Sequence, residues 1–256
     1  MTIYELRVEG LAKYWSLPSG ENYKTKFKQE LQKGNYILTL KRDGALYRYS
    51  KGKLDSILQS RTISKKTGSL VEKQENVPTI MKELDSNLPV NTMLLGEIAF
   101  PIGSGKKSSE VVSIMGCLPQ KAIERQKQTP IHYYIFDIMM YDGIEYHNLP
   151  YKKRIEQLSK IAKQFKWSES IEFAEPIFEN IEEKVAEFLA LGEEGGVLMH
   201  KDKPYTFGKR PALHSIKIKQ ELSEDIDLII MGFSEPVEDY TGKYPMSWQY
   251  WKSLKT

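Results

Sequence analysis

The sequence predicts an α+β fold, and three observations support this prediction. Several short segments alternate apolar and polar residues, as half-buried strands do. Two segments, 151–165 and 181–191, place apolar residues at helical spacing. Strands and helices do not follow one another in a regular repeat, which disfavours a doubly wound parallel sheet.

The first strand is predicted at 36–41, where the side chains alternate between two faces. Asp43-Gly44 follows, a dipeptide typical of a tight hairpin turn. We therefore expect 45–50 to return as a second strand beside the first. Lys41 then lies at a strand end, next to the turn.

The central elements are predicted with less regular spacing. Residues 51–90 are mostly polar and indicate only one helix, around 79–85. A strand at 93–100 carries a single charge, and one or two helices are expected within 107–128. Another strand is predicted at 133–139, where β-branched and aromatic residues concentrate.

The following elements have clearer boundaries. Pro150 stands where helix 151–165 should start, and Asn180 with Glu183 resembles a capping box for helix 181–191. Two strands are expected after these helices, at 196–200 and 215–219.

Bulk composition excludes several classes of protein. The 256 residues carry a net charge of only +3, so any nucleic-acid contact must come from a local basic surface. A single cysteine excludes an internal disulfide and a cysteine-rich zinc site, and it favours an intracellular, cytoplasmic setting. No secretory signal or apolar run of membrane-spanning length is visible.

Several charged residues occur where strands or adjacent turns would be expected to be apolar. Burying one charge usually requires an ion pair, but a group of them indicates a polar cleft. Lysines bind phosphate oxygens and carboxylates bind Mg²⁺, so such a cleft suits a nucleotide with a divalent cation. The residues are Lys41, Asp43, Glu97, Asp137, Glu194, Lys217 and Lys219.

Lys41-Arg42-Asp43-Gly44 resembles the K-x-D-G signature of covalent nucleotidyltransferases, the superfamily of DNA ligases, RNA ligases and mRNA capping enzymes. Further segments, over about residues 35–220, resemble other motifs of the family and occur in the family's order. These are Ser60-Arg61, Leu95-Gly96-Glu97, Ile135-Phe136-Asp137-Ile138-Met139, Glu194-Gly195-Gly196-Val197-Leu198 and Lys217-Ile218-Lys219. The combination most resembles ATP-dependent DNA ligases of the compact viral and bacteriophage type.

The resemblance implies a role for each matched position. Lys41 would attack the α-phosphate of ATP and become lysyl-AMP, after which AMP passes to a DNA 5′-phosphate and a 3′-hydroxyl seals the nick. Glu97 would contact the ribose, Phe136 would stack on adenine, and Thr39 would lie near the adenine edge. Lys217 and Lys219 would hold the α-phosphate, and Glu97 and Glu194 would hold Mg²⁺ or Mn²⁺. Ser60 and Arg61, in an expected loop, would contact nicked duplex DNA, and the enzyme is expected to act as a monomer.

The resemblance also implies an architecture. A nucleotidyltransferase (adenylation) domain, residues 1–221, would consist of two antiparallel sheets flanked by helices. Residues 222–256 resemble only the opening of an oligonucleotide-binding (OB) fold, beginning with a strand at 226–233. Since the rest of that barrel is missing from the sequence, we expect slow self-adenylylation compared with a full-length relative.

Two positions depart from the family pattern. Leu46 stands where the family often has an arginine that contacts the ribose, and Arg48, two residues later on the same strand face, is the expected substitute. Met199 stands where the fourth motif often ends in lysine.

Alternative interpretations stay open at this point. The chain could be an RNA ligase, a capping guanylyltransferase that uses GTP, or a nucleic-acid-binding relative with weakened catalysis. Phe136 could be a core aromatic residue, and Asp137 is interpreted as a buried structural carboxylate without a catalytic role.

Overall fold

A computed structural model describes residues 21–65, 68–207 and 211–219. The helices of this part are α1 Glu21–Gln32, α2 Pro78–Asn87, α3 Ser108–Met115, α4 Pro119–Gln128, α5 Tyr151–Gln164 and α6 Ile181–Ala190, with a 3₁₀ turn at Gln74–Asn76. The strands are β1 Tyr36–Lys41, β2 Ala45–Lys51, β3 Ser56–Ile63, β4 Leu70–Glu72, β5 Thr92–Ala99, β6 His132–Tyr141, β7 Ile144–Glu145, β8 Ile171–Phe173, β9 Gly195–His200 and β10 Ser215–Lys219.

Two sheets contain all the strands of the described residues. The smaller has the order β1-β9-β10, and the larger has the order β4-β3-β2-β5-β6-β7, with β8 added beside β6. Neighbouring strands are antiparallel apart from β6 and β8, which run parallel. The predicted α+β class and its two antiparallel sheets are confirmed. The predicted strand at 226–233 and the OB-fold opening at 222–256 lie outside the described residues.

The expected hairpin at Asp43-Gly44 is wrong. Strand β1 pairs with β9, whereas β2 pairs with β3 and β5, so the chain crosses from the smaller sheet to the larger at this point. Gly44 has no positive φ. A Cβ atom at Gly44 would instead overlap the carbonyl oxygen of Ile98 on β5. Close approach to β5, and not turn geometry, explains the glycine.

The polar stretch 51–90 contains more regular structure than its composition indicates. The predicted helix is present as α2, but strands β3 and β4 were missed. Ser60 and Arg61 lie on β3, where Ser60 opposes Tyr47, and the loop expected for them is therefore wrong. The end of this strand is exposed, so it carries no continuous apolar pattern.

The helices cover one face of each sheet. The main core lies between the larger sheet and the apolar sides of α2, α3 and α5, and a second cluster joins the smaller sheet to α6. The two helices within 107–128 are confirmed as α3 and α4. The capping box of α6 is wrong, because Asn180 is left-handed at φ 52° and its side chain makes no capping hydrogen bond. None of the helices in the described residues is long and apolar enough to span a bilayer.

Candidate active site

Strand register brings Lys41 and Lys219 to opposite sides of one glycine. Gly195 on the central strand β9 faces Lys41 on β1 and Lys219 on β10. Glu194 immediately precedes it and binds both lysines. Its Oε2 lies 2.5 Å from Lys41 Nζ, and its Oε1 accepts a 2.7 Å bond from Lys219 Nζ. Burial alone would raise the pKa of Glu194, but the hydrogen bonds from Lys219 and Lys41 hold it below its ordinary value.

Gly195 and Gly196 let the three strands converge at this point. Gly195 has a φ of 130°, and a Cβ atom there would overlap the carbonyl oxygen of Ile218. A Cβ atom at Gly196 would lie 2.6 Å from a methyl group of Leu38. Side chains at either position would push β1 and β10 away from Glu194. The motif therefore needs both glycines for close packing.

The larger sheet contributes Glu97 and Phe136. Glu97 on β5 lies between Leu46 of β2 and Tyr134 of β6. The β5–β6 register advances by one residue on β5 and by two on β6 here, which leaves Phe136 as an unpaired bulge. A bulge redirects a side chain relative to regular alternation. Phe136 is only partly buried, packs between two apolar clusters and lines the cleft.

A cavity of about 1250 Å³ contains most of the predicted site. Large enough for a nucleotide-sized ligand, it is lined by aliphatic and aromatic residues with a few charged groups, as ligand sites commonly are. The predicted site residues that line it are Thr39, Lys41, Ser60, Arg61, Glu97, Phe136, Glu194 and Lys217.

Two predicted residues do not line this cavity. Lys219 contacts the site through its hydrogen bond to Glu194. Arg48 is buried in the larger sheet, where its guanidinium bonds to the side-chain oxygen of Gln59 on β3. Leu46, two residues before Arg48 on β2, lines the cavity itself. A nucleotide contact from Arg48 stays a prediction.

Glu97 has an unusual electrostatic environment. Burial raises its pKa to about 7, with further raising from Glu194 and Asp43 and partial lowering by Lys41 and Arg42. A carboxyl group whose pKa is close to neutral pH can gain or lose a proton at physiological pH. Glu97 and Glu194 therefore lie in one cavity with pKa values displaced in opposite directions.

Sequence reasoning missed a buried arginine beside the lysine. Arg42 is 1% exposed and contacts two glutamates, Glu172 and Glu193. The only advance signal was that Glu193 and Glu194 form an acidic pair, just as Lys41 and Arg42 form a basic one.

Asp137 has the structural environment that its sequence position indicated. Its two carboxylate oxygens accept bonds of 2.8 and 3.0 Å from the fully buried Arg154 of α5. The same guanidinium stacks over the Tyr151 and Tyr205 rings, and both tyrosines line the cavity. This ion pair thus supports one wall of the site, and neither tyrosine carried a sequence signal.

Divalent cations are compatible with the residues present. Within the described part of the chain, no group of three or more His, Cys, Asp or Glu side chains is arranged to hold a metal ion. Mg²⁺, however, is commonly bound by one or two carboxylates together with substrate phosphates. Glu97 and Glu194, which both line the cavity, fit that arrangement.

Comparison with known protein families decides the assignment. The model of the family described as the ATP dependent DNA ligase domain matches residues 20–219. The chain belongs to this family. A DNA ligase of Thermococcus fumicolans is 27% identical over 206 residues, covering 78% of this chain and 34% of that protein. A DNA ligase of Sulfolobus acidocaldarius is 28% identical over 170 residues, covering 60% and 27%. The chain thus spans about a third or less of the length of these ligases.

Solved ligase structures share the fold. The DNA ligase-adenylate of Chlorella virus superposes with a TM-score of 0.53 at 19% identity, covering 82% of this chain and 67% of that one. The ligase domain of Mycobacterium tuberculosis LigD gives a TM-score of 0.55 at 18% identity, covering 82% and 58%. At these identities the likeness establishes the architecture of the ligase-family domain, and it confirms the fold that the motifs implied.

Proposed function

We propose that this ligase-family chain is an ATP-dependent DNA ligase in which Lys41 carries AMP. The observation that carries the proposal is the convergence of Lys41, Glu194 and Glu97 on one nucleotide-sized cavity. They come from two different sheets, and Lys41 lies 2.5 Å from Glu194. Family membership supports the same conclusion.

The proposed chemistry has three steps. Neutral Lys41 Nζ attacks the α-phosphorus of ATP, a P–N bond forms, the bond to the β-phosphate oxygen breaks, and pyrophosphate leaves while the nitrogen loses a proton. A DNA 5′-phosphate oxygen next attacks the AMP phosphorus, and Lys41 leaves with a proton. A 3′-hydroxyl then attacks the 5′-phosphate, loses its proton and displaces AMP. Such transfers depend mainly on positioning and charge neutralisation.

The nucleotide would contact both sheets. Phe136 would stack on adenine, with Thr39 at the base edge and Glu97 at the ribose. Lys217 and Lys219, on the same face of β10, would neutralise the α-phosphate. Glu97 and Glu194 would hold Mg²⁺ or Mn²⁺, which supplies positive charge to the phosphates. Arg48 stays a proposed ribose contact in place of the arginine that Leu46 replaces.

Nicked duplex DNA is the proposed partner. Ser60 and Arg61 line the same cavity from β3, so a phosphate bound there would lie within the site that contains Lys41. We propose that the protein acts on DNA as a monomer in the cytoplasm. The domain division at residues 221 and 222 also stays a proposal.

Three other functions make different predictions. An RNA ligase would prefer nicked RNA, a capping guanylyltransferase would label Lys41 from GTP, and a pure binder would be indifferent to ATP. The family match favours DNA ligation over the first two. The presence of Lys41, Glu97 and Glu194 in one cavity favours catalysis over the third, because simple DNA binding does not require this combination.

Sealing of a nicked duplex tests the proposal. The protein is incubated with ATP, Mg²⁺ and a 5′-phosphorylated nick in DNA or in RNA, and joined strands are separated on a denaturing gel. We expect DNA joining that depends on ATP and disappears in Lys41→Ala. Joining of RNA alone would transfer the protein to the RNA ligases. ATP-independent binding of nicked DNA with no joining would support the binder.

A further inference from the structure

We propose that Arg42 is a positioning residue, and that its ion pair with Glu193 holds the Glu194 segment in place when Lys41 leaves Glu194 to attack ATP. The inference rests on the proposed function of Lys41. It concerns three residues, Arg42, Glu172 and Glu193, that carry no assigned role in the reaction.

Arg42 joins the two sheets at the crossing between β1 and β2. Its guanidinium Nη1 lies 2.5 Å from Glu172 on β8, and Nη2 donates to the carbonyl oxygen of Phe100 at the end of β5. Nε lies 3.1 Å from Glu193 Oε2, in the turn before β9. Since the arginine is 1% exposed, removing any of these partners would leave a buried charge under-compensated.

Two adjacent basic residues pair with two adjacent acidic residues. Lys41 pairs with Glu194 and Arg42 pairs with Glu193, so two ion pairs connect the end of β1 to the start of β9. The two pairs differ in accessibility. Side-chain exposure is 14% and 23% for Lys41 and Glu194, but 1% and 9% for Arg42 and Glu193.

The difference matters because only one of the pairs must break. Lys41 Nζ cannot attack phosphorus while it is hydrogen-bonded to Glu194. When it leaves, the buried pair between Arg42 and Glu193 still fixes the distance between the two segments. Glu194 and the lysine backbone therefore keep their positions during the transfer, and reorganisation of the site is avoided.

The two residues that follow Arg42 reinforce the same crossing. The Asp43 carboxylate accepts a 3.2 Å bond from the Ser108 amide at the start of α3, and Gly44 packs closely against β5. Lysine could not replace Arg42, because a single ammonium group cannot reproduce the planar guanidinium. The Nη atoms of Arg42 bond to Glu172 and to the Phe100 carbonyl oxygen, while its Nε lies at ion-pair distance from Glu193.

The test measures lysyl-AMP formation by the full chain with Glu193→Gln, Arg42→Lys and the double variant. Glu193→Gln removes the charge and keeps the shape. Glu187→Gln is the matched control, because Glu187 pairs with Lys184 on the exposed side of α6. Initial rates are recorded against ATP concentration. Noncovalent ATP affinity is measured for Glu193→Gln placed in a Lys41→Ala background.

We expect the maximal rate to fall roughly 10- to 100-fold in both single variants, because small misplacements of reacting groups have effects of that size. The ATP concentration at half-saturation and the noncovalent affinity should stay unchanged. The double variant should be no slower than the slower single variant, since both changes break the same ion pair between Arg42 and Glu193.

Wild-type rates in Glu193→Gln and Arg42→Lys would overturn the inference while leaving the proposed function intact. A loss of noncovalent ATP affinity when Glu193→Gln is added to Lys41→Ala would also overturn the inference, because the ion pair would then shape the nucleotide pocket. Absence of any lysyl-nucleotide in the wild-type protein would refute the proposed function itself, and the inference with it.

Discussion

Replacing Glu97 with glutamine should change how protein stability depends on pH. Burial raises the pKa of Glu97 from 4.5 to about 7 in the folded protein. The unfolded chain releases this proton near its ordinary pKa, while the folded chain retains it until about pH 7. Between these values the folded state binds more protons, so stability is lost as pH rises.

The size of the effect follows from the shift. A displacement of about 2.5 pH units, at about 1.4 kcal/mol each, lowers the free energy of unfolding by about 3 kcal/mol once Glu97 is ionised. Most of that loss, about 2.5 kcal/mol, falls between about pH 5 and pH 8. Glutamine has nearly the same shape without the charge. The free energy of unfolding of Glu97→Gln relative to wild type should therefore rise by that amount over this interval.

Urea denaturation of both proteins at the two pH values measures this difference. Glu187→Gln on α6 serves as the control, because this exposed carboxylate should produce no comparable change. A Glu97→Gln difference that stays constant from acid to alkaline pH would contradict this prediction. It would mean that folding leaves the pKa of Glu97 unchanged.

Three further substitutions test the architecture around the cavity. Gly195→Ala should lower the free energy of unfolding by more than the roughly 1–2 kcal/mol of left-handed backbone strain, because its methyl group would also overlap the Ile218 carbonyl oxygen on β10. Gly192→Ala is the control, since it has open space around it and should show only the backbone strain. Urea denaturation measures both free energies. Asp137→Asn should cost about 3–5 kcal/mol by breaking a buried ion pair. Asp202→Asn is the control, since it breaks an exposed ion pair and should cost about 0–1 kcal/mol. Thermal unfolding of both variants measures these costs. Phe136→Leu should raise the ATP concentration at half-saturation of lysyl-AMP formation roughly 5- to 150-fold if the ring stacks on adenine. A purely structural role for Phe136 would instead lower the melting temperature at unchanged ATP affinity.

The convergence of Lys41, Glu194 and Lys219 was predictable from sequence because each residue lies at a strand end in a recognisable motif. The structure adds the reason for their order. Gly195 lies between the two lysines in the sheet register, so Glu194 can reach both. A motif states which residue types are present, but strand pairing decides which of them meet.

The crossing after Lys41 could not be predicted from local sequence. Asp43-Gly44 favours a hairpin by its intrinsic conformational preferences. The outcome was decided by distant pairing, since β1 pairs with β9 in the smaller sheet while β2 pairs with β3 and β5 in the larger one. Ser60 and Arg61 were misassigned for a related reason. Strand β3 ends in exposed residues, so its alternation is weak although its pairing with β2 is regular.

The ion pairs that support the site were also beyond sequence reasoning. Arg42 and Glu193 are separated by most of the chain, and neither lies in a pattern that requires a partner. Asp137 was interpreted as structural because a lone carboxylate within an apolar strand must be compensated. Its partner, Arg154, could not be chosen from the many basic residues of the sequence until α5 was placed against β6.

Covalent labelling tests whether Lys41 is the nucleophile that carries AMP. The purified protein is first weighed intact to detect AMP already attached, then incubated with Mg²⁺ and either labelled ATP or labelled GTP. The proposed function predicts a mass increase of one AMP and label from ATP alone, both absent in Lys41→Ala. Label that persists in Lys41→Ala, label from GTP alone, or a protein that carries no nucleotide before or after incubation would contradict it.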